Sequence, residues 1–344
     1  MGFMFETGRG VVRSYSEALR LYRNAADQDD AQGQRCVGHL YEDGLGVERN
    51  DVESTKWYRK AADQGDAKSQ LFLSLHYLDG LGVKKNYVKG FRWSKMAADQ
   101  GLPTAQCNVG NLFKGGIGVA QSDVRAVKWY KKAAEQGFEE AQCCLGIALR
   151  DGCGVEQNEA MAFRWFRKAA GQGHAEAQVQ LAYMYRYGRG VAQSTGEEMR
   201  WLTMAAEQNY ARAQSTLGFI ISRRGILRSD EEAVPWFRKA AEQEDRVAQW
   251  CLGKFFKHGR GGMVQSEIEA VKFYRLSADQ GMKLAQCDLG FQYQDGLGVV
   301  QSDTEASFWF KKAADQGNAR AQTALERLQK MKEKKKKKRM KEGK

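Results

Sequence analysis

Proline and histidine are scarce in this sequence. Its 344 residues include two prolines and four histidines but 37 glycines. Glycine therefore marks the turns, since it adopts positive φ without steric cost. The chain has no apolar run of the about 20 residues that a membrane-spanning helix needs, and no secretory signal sequence or N-x-Ser/Thr sequon. Glu6 stands where an N-myristoylation motif requires Ser or Thr. These absences predict a cytoplasmic protein, with the nucleus as the alternative.

Motifs of catalysis and metal binding are missing as well. The sequence contains no H-E-x-x-H, G-x-S-x-G, G-x-x-x-x-G-K-S/T or S-x-x-K. Its histidines are scattered singly, and its cysteines lack the spacing of a zinc site. We therefore predict a protein that is not an enzyme and that holds no metal or cofactor. The cysteines, predicted to be buried reduced thiols typical of a reducing compartment, are Cys36, Cys107, Cys143, Cys144, Cys153, Cys251 and Cys287.

What the sequence does contain is a repeated unit of 36 residues, clearest at residues 103–138. In its first half Val109, Gly110 and Phe113 recur at the spacing of one face of an α-helix. Gly116 and Gly118 then turn the chain, and a second apolar stripe of period 3.6 follows. Neither helix can bury its stripe alone, so successive helix pairs must stack on one another.

Nearly all of the chain consists of copies of this unit. The organisation predicts an all-α fold, a right-handed α-solenoid (superhelix) of antiparallel helix pairs with about nine repeats and a C-terminal capping helix. The expected parts are a truncated N-terminal repeat (1–30), eight full repeats (31–66, 67–102, 103–138, 139–174, 175–210, 211–245, 246–282, 283–318), a capping helix (319–331) and a disordered lysine-rich tail (332–344).

The repeated pattern resembles a known family. The motif A-x-A-Q-x-x-L-G-x-x-Y-x-x-G-x-G-V, followed by A-x-x-W-Y-x-K-A-A-x-Q-G, is similar to the Sel-one-like repeat (SLR) family, whose helix pairs are related to tetratricopeptide repeats, and the similarity extends over residues 1–328. The resemblance implies a scaffold or adaptor that binds proteins in a concave groove. Some secreted members carry a cysteine staple in the K-A-A segment, where this chain has Ala62, Ala98, Ala134 and Ala170.

The second helices of the repeats share a start signal and a tryptophan. Each begins at Ser or Asn, and in six of them a Glu three residues later predicts a reciprocal capping box. The recurring tryptophans are predicted to be core residues, each costing about 3–5 kcal/mol when truncated to alanine. The caps are Ser14, Asn50, Asn86, Ser122, Asn158, Ser194, Ser229, Ser266 and Ser302; the glutamates are Glu17, Glu53, Glu197, Glu232, Glu269 and Glu305; the tryptophans are Trp57, Trp93, Trp129, Trp165, Trp201, Trp236 and Trp309.

The sixth repeat departs from the pattern at several places. Residues 224–226 replace the Gly-x-Gly turn, Glu244 replaces the closing glycine, and Pro235 falls inside the second helix. A proline there removes a backbone hydrogen bond and clashes with the preceding turn. We predict a kink in the array near residues 222–262, with a slight local adjustment as the alternative.

The first helices are expected to line the groove, because solenoids present them along one concave face. At the variable places of these helices stand apolar and aromatic residues, among which Trp250 is the tryptophan outside the second-helix place, and exposed aromatics are typical of interface hot spots. A line of basic residues lies beside them. The candidate partner-binding residues are Leu71, Leu75, Tyr183, Phe219, Trp250 and Phe291, with Arg150, Arg186, Arg223, Lys254 and Lys257. The alternative is that the apolar members pack between adjacent repeats and that the basic line is a solvated face.

Basic charge is concentrated in the tail. The whole chain carries +12, of which residues 330–344 supply +8. This tail has too little apolar surface to fold alone. Three interpretations are open: a solvated disordered tail, a nuclear-import signal at Lys334, Lys335, Lys336, Lys337, Lys338 and Arg339, or a segment that binds the phosphates of nucleic acid or anionic lipid.

Three hypotheses on function follow. The leading one is a non-enzymatic scaffold that binds protein partners or peptides in its groove and assembles a complex, as the resemblance implies for signalling or protein quality control. The second is a nuclear or nucleic-acid-associated factor that uses the basic tail. The third, an enzyme similar to secreted relatives that act on β-lactams, is opposed by the missing cysteine staples and the missing Ser-Lys motif.

Overall fold

The computed structural model describes residues 1–223 and 229–342, and the side chains of these residues other than 332 and 335–342. Within that part of the chain all regular structure is α-helical, which confirms the predicted all-α solenoid of helix pairs. The helices are α1 (Gly2–Thr7), α2 (Tyr15–Ala26), α3 (Ala31–Asp43), α4 (Asp51–Asp63), α5 (Ala67–Asp79), α6 (Tyr87–Asp99), α7 (Pro103–Gly115), α8 (Asp123–Glu135), α9 (Glu139–Asp151), α10 (Glu159–Gly171), α11 (Ala175–Tyr187), α12 (Thr195–Glu207), α13 (Ala211–Arg223), α14 (Asp230–Glu242), α15 (Arg246–His258), α16 (Glu267–Asp279), α17 (Lys283–Asp295), α18 (Asp303–Asp315) and α19 (Ala319–Glu342). The odd-numbered helices are the first helices of the repeats and the even-numbered ones are the second helices.

The chain divides into two compact units. The first unit contains residues 1–177 and 188–192, and the second contains residues 178–187 and 193–344. In the first unit each helix packs against the next from α1 to α10. In the second unit the same order holds from α12 to α19. The repeats are therefore stacked by contacts between chain neighbours, as a solenoid requires.

Outside the sixth repeat, whose turn lies beyond the described residues, glycines in the left-handed conformation make the turn from a first helix to its second helix. Gly116 ends α7 in the left-handed conformation, with a φ of 65°. Gly118, with a φ of 69°, approaches the start of the preceding second helix so closely that a Cβ there would lie 2.0 Å from the carbonyl oxygen of Tyr87. The second glycine is thus required both by its φ and by the close contact between neighbouring repeats.

The predicted Ser and Asn residues cap the second helices, but the prediction of reciprocal capping boxes is wrong. Ser302 accepts a hydrogen bond from the backbone N–H of Glu305 at 3.2 Å. The backbone N–H of Ser302 donates to the carbonyl oxygen of Tyr293 at 2.9 Å rather than to the Glu305 carboxylate. The glutamates are free to pair along the helix surface, as Glu269 does with Lys272 at 2.5 Å. The first helix of the repeat ends next to the cap residue, and a carbonyl oxygen near that end accepts the backbone N–H of the cap residue. In an isolated helix this N–H would be available to the glutamate side chain.

The predicted aromatic core is displaced by one residue along the second helices. Among the seven recurring tryptophans of the second helices, Trp129 and Trp309 are buried, whereas the five others are partly exposed. The fully buried place is the next one, occupied by Tyr58, Tyr130, Phe166, Phe237, Tyr274 and Phe310, each 0–2% exposed. Lysine ammonium groups lie over several tryptophan rings, such as Lys132 over Trp129 at 4.3 Å from its centroid. The tryptophans therefore form the edge of the core and are partly covered by lysine side chains.

Each buried aromatic ring packs on a small residue of its first helix. A Cβ at Gly110 would lie 2.5 Å from the Tyr130 ring, so no larger side chain fits while the tyrosine is present. In the second repeat the small residue is Ser74 and the aromatic is replaced by Ser94, and their hydroxyl oxygens lie 2.6 Å apart in a fully buried contact. The two places thus change size together, which keeps the interior of each repeat filled.

A ladder of glutamine pairs joins the ends of the helices. Gln106, 5% exposed, donates from Nε2 to the Ala98 carbonyl oxygen of the preceding repeat at 3.3 Å. Its Oε1 accepts from Gln136 Nε2 at 2.8 Å. The equivalent pairs, at 2.8–2.9 Å, are Gln64 with Gln34, Gln100 with Gln70, Gln172 with Gln142, Gln208 with Gln178, Gln243 with Gln214, Gln280 with Gln249 and Gln316 with Gln286. This is the physical role of the K-A-A-x-Q-G and A-x-A-Q segments of the repeat.

Replacing Gln136 by alanine should lower the free energy of unfolding by about 1–3 kcal/mol, because the buried Gln106 Oε1 loses its donor. Gln28→Ala is a matched control, since Gln28 holds the same place in the N-terminal repeat (1–30) but donates to the carbonyl oxygen of Asn24 in the preceding helix, α2, at 2.8 Å. The control should change stability by less than about 0.5 kcal/mol. Urea denaturation followed by circular dichroism measures both; equal losses would contradict the role given to the ladder.

The capping helix is longer than predicted. α19 runs without a break from Ala319 to Glu342, past residue 331, where the sequence analysis placed its end. The prediction of a disordered lysine-rich tail stays a prediction. Ala321 and Leu328 are buried against the array, and Met331 is 45% exposed. Lysine is a good helix former, and a helix already nucleated by packing is extended by it.

The sixth repeat is described only in part. Residues 224–226, where the predicted turn departs from Gly-x-Gly, lie outside the described residues. Pro235 stands inside α14, which is continuous around it. Glu244 takes the left-handed conformation of the glycine it replaces, with a φ of 63°. The predicted kink near residues 222–262 stays a prediction.

Candidate partner-binding cleft

Several of the predicted binding residues come together in the second unit. A cleft of about 360 Å³ opens between α15, α17 and α19, and we call it the α15–α17–α19 cleft. Trp250, Lys254 and Lys257 of α15 lie in its lining, as the sequence analysis grouped them. The other lining residues are His258, Tyr274, Leu284, Cys287, Asp288, Asn318 and Arg320. Three successive first helices thus contribute to one concave site.

Trp250 is not the exposed aromatic that the sequence analysis expected. Only 8% of its surface is exposed, and its indole Nε1 donates to Asp288 Oδ2 at 2.8 Å. Arg320 of α19 donates to the other carboxylate oxygen of Asp288 at 3.1 Å. The Arg320 guanidinium also lies over the Phe291 ring, 4.4 Å from its centroid. Trp250 therefore forms the wall of the cleft, and Asp288 joins that wall to the capping helix.

Two lysines add positive charge to this wall. The Lys254 ammonium lies 4.8 Å from the centroid of the Trp250 ring. Lys257 donates to Gln292 Oε1 at 3.4 Å, and Gln292 in turn donates to Glu267 Oε2 at 2.6 Å. Neither ammonium forms an ion pair among the described residues. The cleft therefore carries two cations that no carboxylate of the described chain neutralises.

A smaller cleft adjoins it on the other side of Trp250. Phe219 and Arg223 of α13 lie there, with the Arg223 guanidinium 4.4 Å from the centroid of the Phe219 ring. Arg260 closes the site through a bidentate ion pair with Asp230, at 2.6 and 2.7 Å. Phe219, Arg223, Trp250 and Lys254 are thus neighbours across two first helices.

The remaining predicted residues lie elsewhere. Leu71 and Leu75 lie on α5 of the first unit, where Leu75 is 37% exposed. Arg150, on α9, is held by its neighbour Asp151 at 2.7 Å. Arg186 lies 3.8 Å from Glu198, a carboxylate with only 1% of its surface exposed. These two arginines therefore have local structural partners.

Tyr183 and the tail complete the set of predicted residues. The Tyr183 ring stacks on the Tyr187 ring with centroids 6.4 Å apart, on α11 of the second unit. In the tail, Lys334 is exposed, and the side chains of Lys335, Lys336, Lys337, Lys338 and Arg339 lie outside the described residues. The membership of all these residues in a binding surface stays a prediction.

Sequence reasoning missed the residues that complete the cleft. Asp288 lies on α17 one residue after Cys287, and Arg320 lies on α19, which the sequence predicts only as a capping helix. Their partner Trp250 is 38 residues away from Asp288 in the chain. The one available signal was that Asp288 replaces an uncharged residue at a first-helix place next to the predicted groove.

The cysteines are free, and the buried ones are poor nucleophiles. Burial raises the pKa of the Cys251 thiol to about 12 and that of the Cys287 thiol to about 11, although Cys287 lines the cleft. A protonated thiol neither attacks a substrate nor binds a metal. Cys153 differs from the prediction, because it is exposed in the turn after α9. Two further cysteines, Cys36 and Cys144, are partly exposed.

A buried polar network in the first unit resembles a catalytic triad only in composition. His76, 1% exposed, lies 2.6 Å from the Thr55 hydroxyl through Nδ1 and 3.3 Å from Glu42 Oε1 through Nε2. The hydrogen bond from His76 holds the pKa of the Glu42 carboxyl below its usual range. Thr55 is 3% exposed and its hydroxyl also contacts the carbonyl oxygen of Asp51 at 2.7 Å. A substrate cannot reach that hydroxyl, so the network stabilises the packing of α3, α4 and α5.

The described part of the chain lacks two further features. None of its helices combines the length and the apolar character that crossing a lipid bilayer requires. The same residues contain no group of three or more His, Cys, Asp or Glu side chains placed to hold a metal ion.

Stacked pairs of antiparallel helices define an α-helical repeat protein. The Sel1 repeat family matches the chain nine times, over residues 1–30, 31–66, 67–102, 103–138, 139–174, 175–210, 211–245, 246–282 and 283–318. The chain therefore belongs to the Sel1 repeat family, as the sequence resemblance indicated. Proteins of this family generally mediate protein–protein interactions and are typically non-catalytic helical scaffolds.

Solved structures agree with this assignment. A Sel1 repeat protein from Oxalobacter formigenes is 30% identical, with 90% of each chain covered and a TM-score of 0.67. A protective antigen present in uropathogenic Escherichia coli strains, which displays an SLR fold, is 32% identical. That comparison covers 96% of this chain and 79% of the antigen, with a TM-score of 0.50. A search of curated proteins gave no match.

Proposed function

We propose that this chain is a non-enzymatic scaffold that binds peptide segments of partner proteins along its first helices and brings them into a complex. The observation that carries the proposal is the α15–α17–α19 cleft, in which predicted groove residues from one helix meet side chains of the next two first helices. Its volume of about 360 Å³ is in the range of pockets that enclose a small ligand or a few side chains.

The composition of the cleft supports binding rather than catalysis. Trp250 and Tyr274 give it aromatic walls, and Lys254 and Lys257 place cations at its edge. Cys287 is its nucleophilic residue, and burial raises the pKa of that thiol to about 11. A site with aromatic walls, accessible cations and a protonated thiol is suited to holding a ligand.

Selection from a random dodecapeptide library on the immobilised full chain tests this function. We expect peptides to be enriched on the wild type and to lose at least about tenfold in affinity for the Lys254→Ala/Lys257→Ala variant. These lysines are better test positions than Trp250, whose removal would disturb the fold because it is buried and hydrogen-bonded to Asp288.

The matched control is the Lys239→Ala/Lys312→Ala variant, which loses the same charge in the same unit. Lys239 and Lys312 lie on second helices, over the rings of Trp236 and Trp309 at 5.0 Å. The control should bind the selected peptides as the wild type does. Failure to enrich any peptide would reject the scaffold function, and equal loss in both variants would place binding outside the cleft.

A further inference from the structure

We propose that the α15–α17–α19 cleft binds a carboxylate-rich segment of a partner protein. Asp288, which is paired with Arg320, competes with that segment for the Arg320 guanidinium. This inference rests on the scaffold function and adds the chemical class of the partner.

The charges of the cleft favour an acidic ligand. Its lining includes three basic side chains, Lys254, Lys257 and Arg320, against one carboxylate, Asp288. Asp288 is paired with Arg320, whose side chain is 67% exposed at the mouth. Lys254 lies over the face of the Trp250 ring, and Lys257 donates to the neutral amide oxygen of Gln292. Neither lysine contacts a carboxylate of the described residues. An incoming anion would therefore meet two unneutralised ammonium groups and one exposed guanidinium.

The cleft already holds a carboxylate of the chain itself. Both oxygens of Asp288 accept hydrogen bonds there, one from the Trp250 indole at 2.8 Å and one from Arg320 at 3.1 Å. The donors are thus arranged for a carboxylate, which favours an acidic peptide over a phosphorylated one. A ligand carboxylate close to Arg320 would share that guanidinium with Asp288.

Apolar surface beside the charges favours a peptide over a free anion. Leu284 is 41% exposed at the lining, and Trp250 and Tyr274 form the adjacent wall. A small dicarboxylate would leave this surface in contact with water. A segment that alternates acidic and apolar side chains would cover it and pair with the lysines at the same time.

The decisive experiment compares two variants whose expected effects have opposite signs. The probe is a fluorescein-labelled dodecapeptide of glutamate with leucine at every third position, and its twin has glutamine in place of glutamate. Fluorescence anisotropy on the full chain should show the glutamate probe binding at least about tenfold more tightly than its twin. Asp288→Asn should tighten that binding about threefold or more, since it frees Arg320 and retains an oxygen acceptor for Trp250.

The double variant Lys254→Ala/Lys257→Ala should weaken binding of the glutamate probe at least about tenfold. The Lys239→Ala/Lys312→Ala control should stay within about twofold of the wild type, which separates the cleft from the general attraction of the basic tail. Circular dichroism of each variant checks that the helices are retained.

Other outcomes overturn the proposal. Equal binding of the two probes, or weaker binding by Asp288→Asn, would exclude recognition of carboxylates. Displacement of the glutamate probe by inorganic phosphate at concentrations where glutarate has no effect would assign the cleft to phosphate groups. If library peptides bind the cleft but are neither acidic nor sensitive to Asp288→Asn, the scaffold function stands and this inference fails.

Discussion

Gly118→Ala is expected to lower the free energy of unfolding by about 3 kcal/mol or more. An L-residue in the left-handed conformation costs about 1–2 kcal/mol, and Gly118 has a φ of 69°. The new Cβ would in addition lie 2.0 Å from the Tyr87 carbonyl oxygen and 2.4 Å from its carbonyl carbon. These are backbone atoms at the start of α6, so they cannot move aside without disturbing the neighbouring repeat, and overpacking of this kind costs a further 1–3 kcal/mol or so.

Gly137→Ala is the matched control for that prediction. Gly137 also has a positive φ, 91°, but no atom lies within 4 Å of the Cβ position. The control should therefore show only the backbone cost, about 1 kcal/mol. Guanidinium denaturation gives the two free energies, and hydrogen exchange at α6 and α8 shows whether the loss is local, as expected in a repeat array. If both substitutions cost the same, the close approach at Gly118 does not determine its identity.

The architecture was predictable because its signals are local and repeated. A turn glycine, a Ser or Asn cap and an apolar stripe each act within a few residues, and Ser302 and Gly116 behave in the structure as their sequence context indicated. Because the unit is repeated, a structure predicted for one copy applies to the other copies as well. The capping boxes failed for a related reason, since the N–H of Ser302 is taken by Tyr293, and that contact depends on how the two helices meet.

The cleft was only partly predictable. Trp250, Lys254 and Lys257 share one helix, so helical spacing alone groups them. Asp288 and Arg320 come from the next two first helices, and their contacts with α15 depend on the offset between stacked repeats. Whether Trp250 is exposed or buried likewise depends on that offset, which composition and periodicity do not contain. Sequence reasoning therefore found the basic and aromatic side of the cleft and missed the carboxylate that organises it.

The tail is a case in which composition and local context point in different directions. Composition predicts disorder for a lysine-rich segment with little apolar surface, yet α19 extends to Glu342. The helix is nucleated by packed residues such as Ala321 and Leu328, and each added turn then needs only the propagation step. A prediction based on the segment alone omits this nucleus.

Phe166→Ala should lower the free energy of unfolding by about 3–5 kcal/mol. This loss should be larger than that caused by Trp165→Ala, because the fully buried place lies one residue after the tryptophan. Tryptophan is the larger residue, and the sequence pattern places the recurring tryptophans in the core. Phe166, however, is fully buried, and it packs against Gly146 so tightly that a Cβ there would lie 2.7 Å from its ring. Truncating it leaves a cavity that a glycine cannot fill.

Trp165 lies one residue earlier in α10 and is partly exposed, with the Lys168 ammonium over its ring at 4.4 Å. Its removal loses partial burial and one cation–π contact, about 1–2 kcal/mol together. Because both substitutions are made in one helix and both introduce alanine, helix propensity changes little between them. Urea denaturation gives the free energies of unfolding of the two variants. A larger loss of stability for Trp165→Ala would show that the tryptophan, and not the residue after it, is the main core residue of the repeat.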